Sequence, residues 1–164
     1  MIVPSPGDVA SNGGGSPNRG ISDLVVDAGV AIKWYVPEIH EREAKRFLDP
    51  AITLHVPELF FPEFGNIVWK KARLLKSPEI TTDEGRDVID LLLGVSLTIH
   101  PMAPLLKAAY QLALGPKRAT VYDCCYLALA CALGCRLATA DRMFYDAFTN
   151  GPHGQNLLWV ADPI

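Results

Sequence analysis

Residues 119–141, ATVYDCCYLALACALGCRLATAD, constrain the fold most tightly. Thr120 is placed to cap a helix whose first turn holds Asp123. Val121, Cys124, Cys125, Leu127, Ala128, Leu129 and Leu133 then make that helix apolar on nearly every side. Such a helix belongs inside a domain. Gly134 stops it, residues 136–139 read as a short buried strand, and Asp141 follows where a strand hands over to the next helix. A carboxylate there lies at the carboxyl edge of a sheet, where open α/β folds hold their ligands.

The same order of strand, acid and helix occurs near the start. Leu24, Val25 and Val26 form a short β-rich run ending in Asp27, and Ala28 and Gly29 lead into an apolar helix over residues 30–35. Further strands are predicted over residues 53–56, 97–100 and 157–160. Helices are predicted over 40–48, from 57 or 61 to 75, over 81–93, 104–114 and 142–148, with a loop at 151–155. Proline is tolerated in a first turn and not in a helix interior, so with Pro62 the long helix begins near residue 61 or kinks there. Either way Glu63 falls in a first turn. This alternation, with right-handed crossovers, predicts an α/β fold: a three-layer α/β/α sandwich on a mostly parallel five-stranded sheet. Residues 1–20, rich in Pro and Gly, are expected to be a flexible tail, leaving 21–164 as one domain.

With 164 residues, 49% of them hydrophobic, the chain is long enough to bury about 70% of its unfolded surface around a single core. The net charge of −3 gives no general attraction for nucleic acid, so RNA binding must rest on a local basic patch and on metal. Cys124, Cys125, Cys131 and Cys135 lack zinc-site spacing and read as small buried hydrophobes, which implies a reducing, cytoplasmic compartment. No apolar run approaches the roughly 20 residues of a membrane span, and no signal-peptide core is visible. His40, His55, His100 and His153 are scattered and read as surface or strand-end residues.

Four acids share one kind of position: Asp27 and Asp141 after strands, Glu63 and Asp123 in first turns of apolar helices. Each has an ordinary reading alone, as a helix-start charge or an N-cap. Asp27 is the hardest to dismiss, since Asp is unfavourable in a strand and here it ends an apolar one. If the strand ends converge, two such charges at about 4 Å repel by roughly 4 kcal/mol at an effective dielectric of 20, and four together need a cation or bound protons. Mg²⁺ or Mn²⁺ is the natural solution, and metal-assisted phosphodiester hydrolysis is the chemistry it permits.

These residues resemble the PIN domain and, within it, the VapC-type toxins of toxin–antitoxin pairs. The resemblance is carried by VVDAGVAIKW at 25–34, Pro57-Glu58-Leu59 leading to Glu63 and Asn66, Tyr122-Asp123 with the YLALA run at 126–130, and Thr139-Ala140-Asp141. It implies a metal-dependent endoribonuclease, usually a homodimer, inhibited by an antitoxin peptide that covers the site. By carry-over, Asp27, Glu63, Asp123 and Asp141 hold Mg²⁺ or Mn²⁺, Thr139 is a supporting hydroxyl, and Asn66 is a donor behind the ligands. Lys33, Lys117, Arg118 and Arg142 flank the acids in sequence and are candidates to meet RNA, or ordinary solvated charges. One departure stands out: Gly29 occupies a position where the family usually has Ser, Thr or Asn. A PIN-like module that binds without cutting is the alternative. A phosphoryl-transfer enzyme wants a second acid near Asp27, and Gly29 stands in its place.

Overall fold

The structure is a computed structural model and describes residues 22–74, 76–116 and 119–164. Strands are β1 (Asp23–Val26), β2 (Thr53–Pro57), β3 (Leu97–His100), β4 (Arg136–Thr139) and β5 (Leu157–Trp159). Helices are α1 (Ala28–Ala31), α2 (Glu41–Lys45), α3 (Phe60–Trp69), α4 (Thr82–Leu93), α5 (Leu106–Ala113), α6 (Val121–Leu133) and α7 (Arg142–Phe148). The expected tail, and Lys117 and Arg118, lie outside the described residues.

The sheet runs β3-β2-β1-β4-β5 and every pairing is parallel. Crossovers from β1 to β2 and from β2 to β3 step one way, and those from β3 to β4 and from β4 to β5 step the other. Right-handed connections therefore put α1–α4 on one face and α5–α7 on the opposite face. The direction reverses between β1 and β4, which opens a crevice at their carboxyl ends. Asp27 and Asp141 follow those two strands.

The core explains the central position of α6. Cys124, Cys125, Tyr126, Leu127, Ala128, Leu129 and Ala130 are all buried, and α6 packs on β1, β2, β4 and α5. Gly134 ends it at φ +65°, a left-handed conformation that glycine adopts without a Cβ clash, while the Cys135 N–H closes back on the Ala130 carbonyl at 3.0 Å. The cysteines are free thiols, Cys124 and Cys125 buried and Cys131 and Cys135 half-buried.

Some boundaries differ from the sequence reading. The helix expected over residues 30–35 starts at Ala28 and tightens into a 3₁₀ turn at Ile32–Trp34. Helix α3 starts at Phe60, so Pro62 sits in its first turn, where an N–H has no intrahelical partner to lose, and no kink is needed. It then widens into a π turn at Lys70–Leu74. Part of the expected 151–155 loop is a 3₁₀ turn at Gly154–Asn156. His55 and His100, read as scattered surface or strand-end residues, join Asp23 in a chain across three strands, with 3.0 Å from His55 Nε2 to Asp23 Oδ1 and 3.0 Å from His55 Nδ1 to His100 Nε2. Among the described residues no helix is long and apolar enough to cross a membrane.

Candidate metal centre

Asp27 leaves β1 and caps α1, its Oδ1 accepting the Val30 N–H at 2.6 Å. Burial pushes this carboxyl up to about 7. Hydrogen bonds from Thr139 and Val30 oppose the shift, and the negative charge of Glu63 adds to it. Asp141 leaves β4 and caps α7, accepting the Phe144 N–H at 3.0 Å, while its own N–H donates to Thr139 Oγ1 at 3.1 Å. Thr139 is 1% exposed, and one hydroxyl thus ties the acid after β1 to the acid after β4.

Glu63 is in the first turn of α3 and Asp123 in the first turn of α6. Tyr126, one turn beyond Asp123, donates its hydroxyl to Glu63 Oε2 at 2.7 Å. Burial and the charge of Asp123 push the Glu63 carboxyl up, against the Tyr126 bond and the Lys70 charge. Burial and the neighbouring Glu63 and Asp27 also push the Tyr126 phenol far up, so it remains a neutral donor. Asp123 closes a capping box: Thr120 Oγ1 accepts the Asp123 N–H at 3.2 Å and the Thr120 N–H donates to Asp123 Oδ2 at 3.3 Å, with the Thr120 hydroxyl donating to the same oxygen at 2.6 Å.

All four acids line one cavity of about 390 Å³, together with Lys33, Glu38, Tyr126 and Thr139. Each acid sits at a helix start and accepts a hydrogen bond there or from a neighbouring helix, which lets four carboxylates coexist. Among the described residues no three His, Cys, Asp or Glu side chains are already gathered at metal-binding distance. The donor set suits a hard divalent cation, because carboxylate oxygens line a pocket in which burial and the Glu63 charge disfavour the ionised form of Asp27.

Of the residues singled out from the sequence, Asp27, Glu63, Asp123, Asp141, Thr139 and Lys33 come together in this cavity. Asn66 does not; it is exposed on α3 and outside the lining. Arg142 is also outside, with Nε 3.0 Å from Asp146 Oδ1 and its guanidinium over the Tyr145 and Trp159 rings. Lys33 is buried and paired with Glu38, so it is not an ordinary solvated base. Sequence reasoning passed over Glu38 and gave Tyr126 no role. Tyr126 carried a signal, a polar ring one turn after Asp123 on an otherwise apolar helix. Glu38 carried none.

The sequence matches the PIN-domain family model over residues 24–148, so the chain belongs to the PIN-domain family. Within that family it groups with VapC proteins, being 38% identical over 129 residues to Ribonuclease VapC3 of Pyrobaculum aerophilum, across 76% of this chain and 94% of that relative. Among solved structures, VapC20 of Mycobacterium tuberculosis, described as a sarcin-ricin loop cleaving toxin, superposes with a TM-score of 0.59 at 13% identity, covering 76% of this chain and 95% of that one. A toxin–antitoxin complex from Klebsiella pneumoniae gives a TM-score of 0.59 at 15% identity, covering 85% and 99%. At those identities the likeness establishes the shared fold.

Proposed function

We propose that this protein is a divalent-metal-dependent endoribonuclease, using Mg²⁺ or Mn²⁺, and the toxin of a VapBC-type pair. The observation that carries this reading is the single cavity lined by Asp27, Glu63, Asp123 and Asp141, two of whose carboxyls are pushed above their ordinary range. The VapC3 relative is a ribonuclease by name, and two solved structures of this fold are a toxin and a toxin–antitoxin complex.

Asp27, Glu63, Asp123 and Asp141 are the residues that would hold the metal. When bound, a divalent ion makes water acidic enough to attack and neutralises charge on the phosphate. The protein's own part is orientation. Thr139 holds Asp27 and the Asp141 backbone, Tyr126 fixes Glu63, and the Thr120 box fixes Asp123, so these acids would meet a bound ion from fixed positions. Lys33, Lys117, Arg118 and Arg142, which flank the four acids in sequence, are the proposed RNA-facing cations.

A cognate antitoxin covering this cavity, a homodimer and a cytoplasmic setting complete the reading. Exposed Trp69, Leu74, Leu91 and Leu93, on the run from α3 through α4, supply apolar surface for such partners. Protein freed of antitoxin should cleave RNA when Mg²⁺ or Mn²⁺ is supplied, and Asp27→Asn and Asp123→Asn should each lose that cleavage. Undiminished cleavage by either variant sinks the proposal.

A further inference from the structure

Lys33 projects into the cavity wall from the 3₁₀ turn after α1, and its side chain is 11% exposed. Its Nζ lies 2.5 Å from Glu38 Oε2. The other Glu38 oxygen meets Lys71 Nζ, from the π turn that ends α3, and Lys71 is held again by Glu79 Oε2 at 2.5 Å. Burial pushes the Glu38 carboxyl up, but the two ammoniums outweigh it and hold it below the ordinary range.

The pairing is unequal. Among the described residues Lys33 has one carboxylate partner, while Glu38 has two ammoniums and Lys71 two carboxylates. A carboxylate held away from water and stripped of its sole partner is left as an uncompensated charge, which is costly. Glu38 is spared that cost when Lys33 turns away, because Lys71 remains. Among the described residues Lys33 is also the one cation lining a cavity that five carboxylates face, Glu38 included. Glu38 thus sets two anionic oxygens between two ammoniums, as a phosphate would.

We propose that Lys33 binds a backbone phosphate of the RNA strand, that Glu38 occupies its ammonium in the RNA-free protein, and that Lys71 keeps Glu38 paired during the exchange. This rests on the ribonuclease reading and adds to it an internal competitor for the substrate. Lys33 and Glu38 reach the cavity by the same short stretch of chain, so the exchange needs no movement of a helix.

The test is binding of a single-stranded RNA oligonucleotide to Asp123→Asn protein with Mg²⁺, followed by fluorescence anisotropy across a salt series. Adding Lys33→Gln should weaken binding and lower the salt slope by about 0.7, the value for one phosphate contact on a single strand. Adding Glu38→Gln should tighten binding several-fold by releasing Lys33. Adding Lys71→Gln should weaken binding although Lys71 is outside the cavity, because Glu38 then retains Lys33. Thermal denaturation of each variant reports folding separately. Glu38→Gln weakening binding as Lys33→Gln does means a structural tie and overturns the exchange, as does an unchanged salt slope in Lys33→Gln. Absence of RNA binding by the Asp123→Asn parent overturns the ribonuclease reading and the exchange with it.

Discussion

At Asp27, burial and the Glu63 charge oppose ionisation more strongly than Thr139 and the Val30 N–H favour it, and the carboxyl rests at about 7. An unfolded Asp titrates near 3.9, so the folded, metal-free protein binds the extra proton between those values and stability falls as pH rises from about 4 to 7. Asp27→Asn should therefore raise the metal-free stability at pH 8 by about 1–3 kcal/mol and flatten this slope, while abolishing cleavage. Thermal melts of both proteins at pH 5 and pH 8, with chelator present, check it. Metal uptake by the wild type should strengthen as pH rises through 7, because the ion displaces that proton. Gly29 bears on the same carboxyl. A Cβ there meets Asp27 Oδ1 at 3.4 Å, an ordinary contact, so Gly29→Ser should fit. Its hydroxyl, in reach of Asp27, should improve Mn²⁺ affinity by about 1 kcal/mol, roughly fivefold, in a calorimetric titration.

Helix α6 does two things, filling the core and aiming Asp123 and Tyr126. Leu127, fully buried, serves the first, and Leu127→Ala should cost about 2–5 kcal/mol in urea denaturation. Tyr126 serves the second. Its hydroxyl holds Glu63 down, so Tyr126→Phe should raise the Glu63 carboxyl further and move the acid limb of the activity profile to higher pH, with a stability loss of only about 1 kcal/mol. A shift in melting temperature with no shift in that limb would contradict this role. Elements of this kind were legible beforehand, because an all-round apolar run stopped by Gly134 has few other homes. The acids at the ends of β1 and β4 were legible for the same reason. The Lys33–Glu38–Lys71–Glu79 chain was not, since its central link joins Glu38 to Lys71, far apart in sequence, and only folding brings the π turn beside the turn after α1. Nor does Asn66, one turn past Glu63, face the cavity, because α3 turns that position toward solvent.

On the scale of the molecule, the reversal of strand order between β1 and β4 gathers four helix starts at one edge of the sheet. Local hydrogen bonds orient the acids at that edge, burial disfavours the ionised form of Asp27, and the four acids stay short of a ready-made cage. Saturating Mg²⁺ or Mn²⁺ should raise the melting temperature at pH 8, where the carboxylates repel, more than at pH 5, where protons already relieve them. The direct measurement is RNA cleavage by metal-stripped, antitoxin-free protein as divalent metal is added back. Cleavage absent in chelator, restored by Mg²⁺ or Mn²⁺, and absent at every metal concentration in Asp27→Asn and Asp123→Asn is the expected result. Cleavage that persists in chelator, or that either variant recovers in full, contradicts a carboxylate-held metal centre.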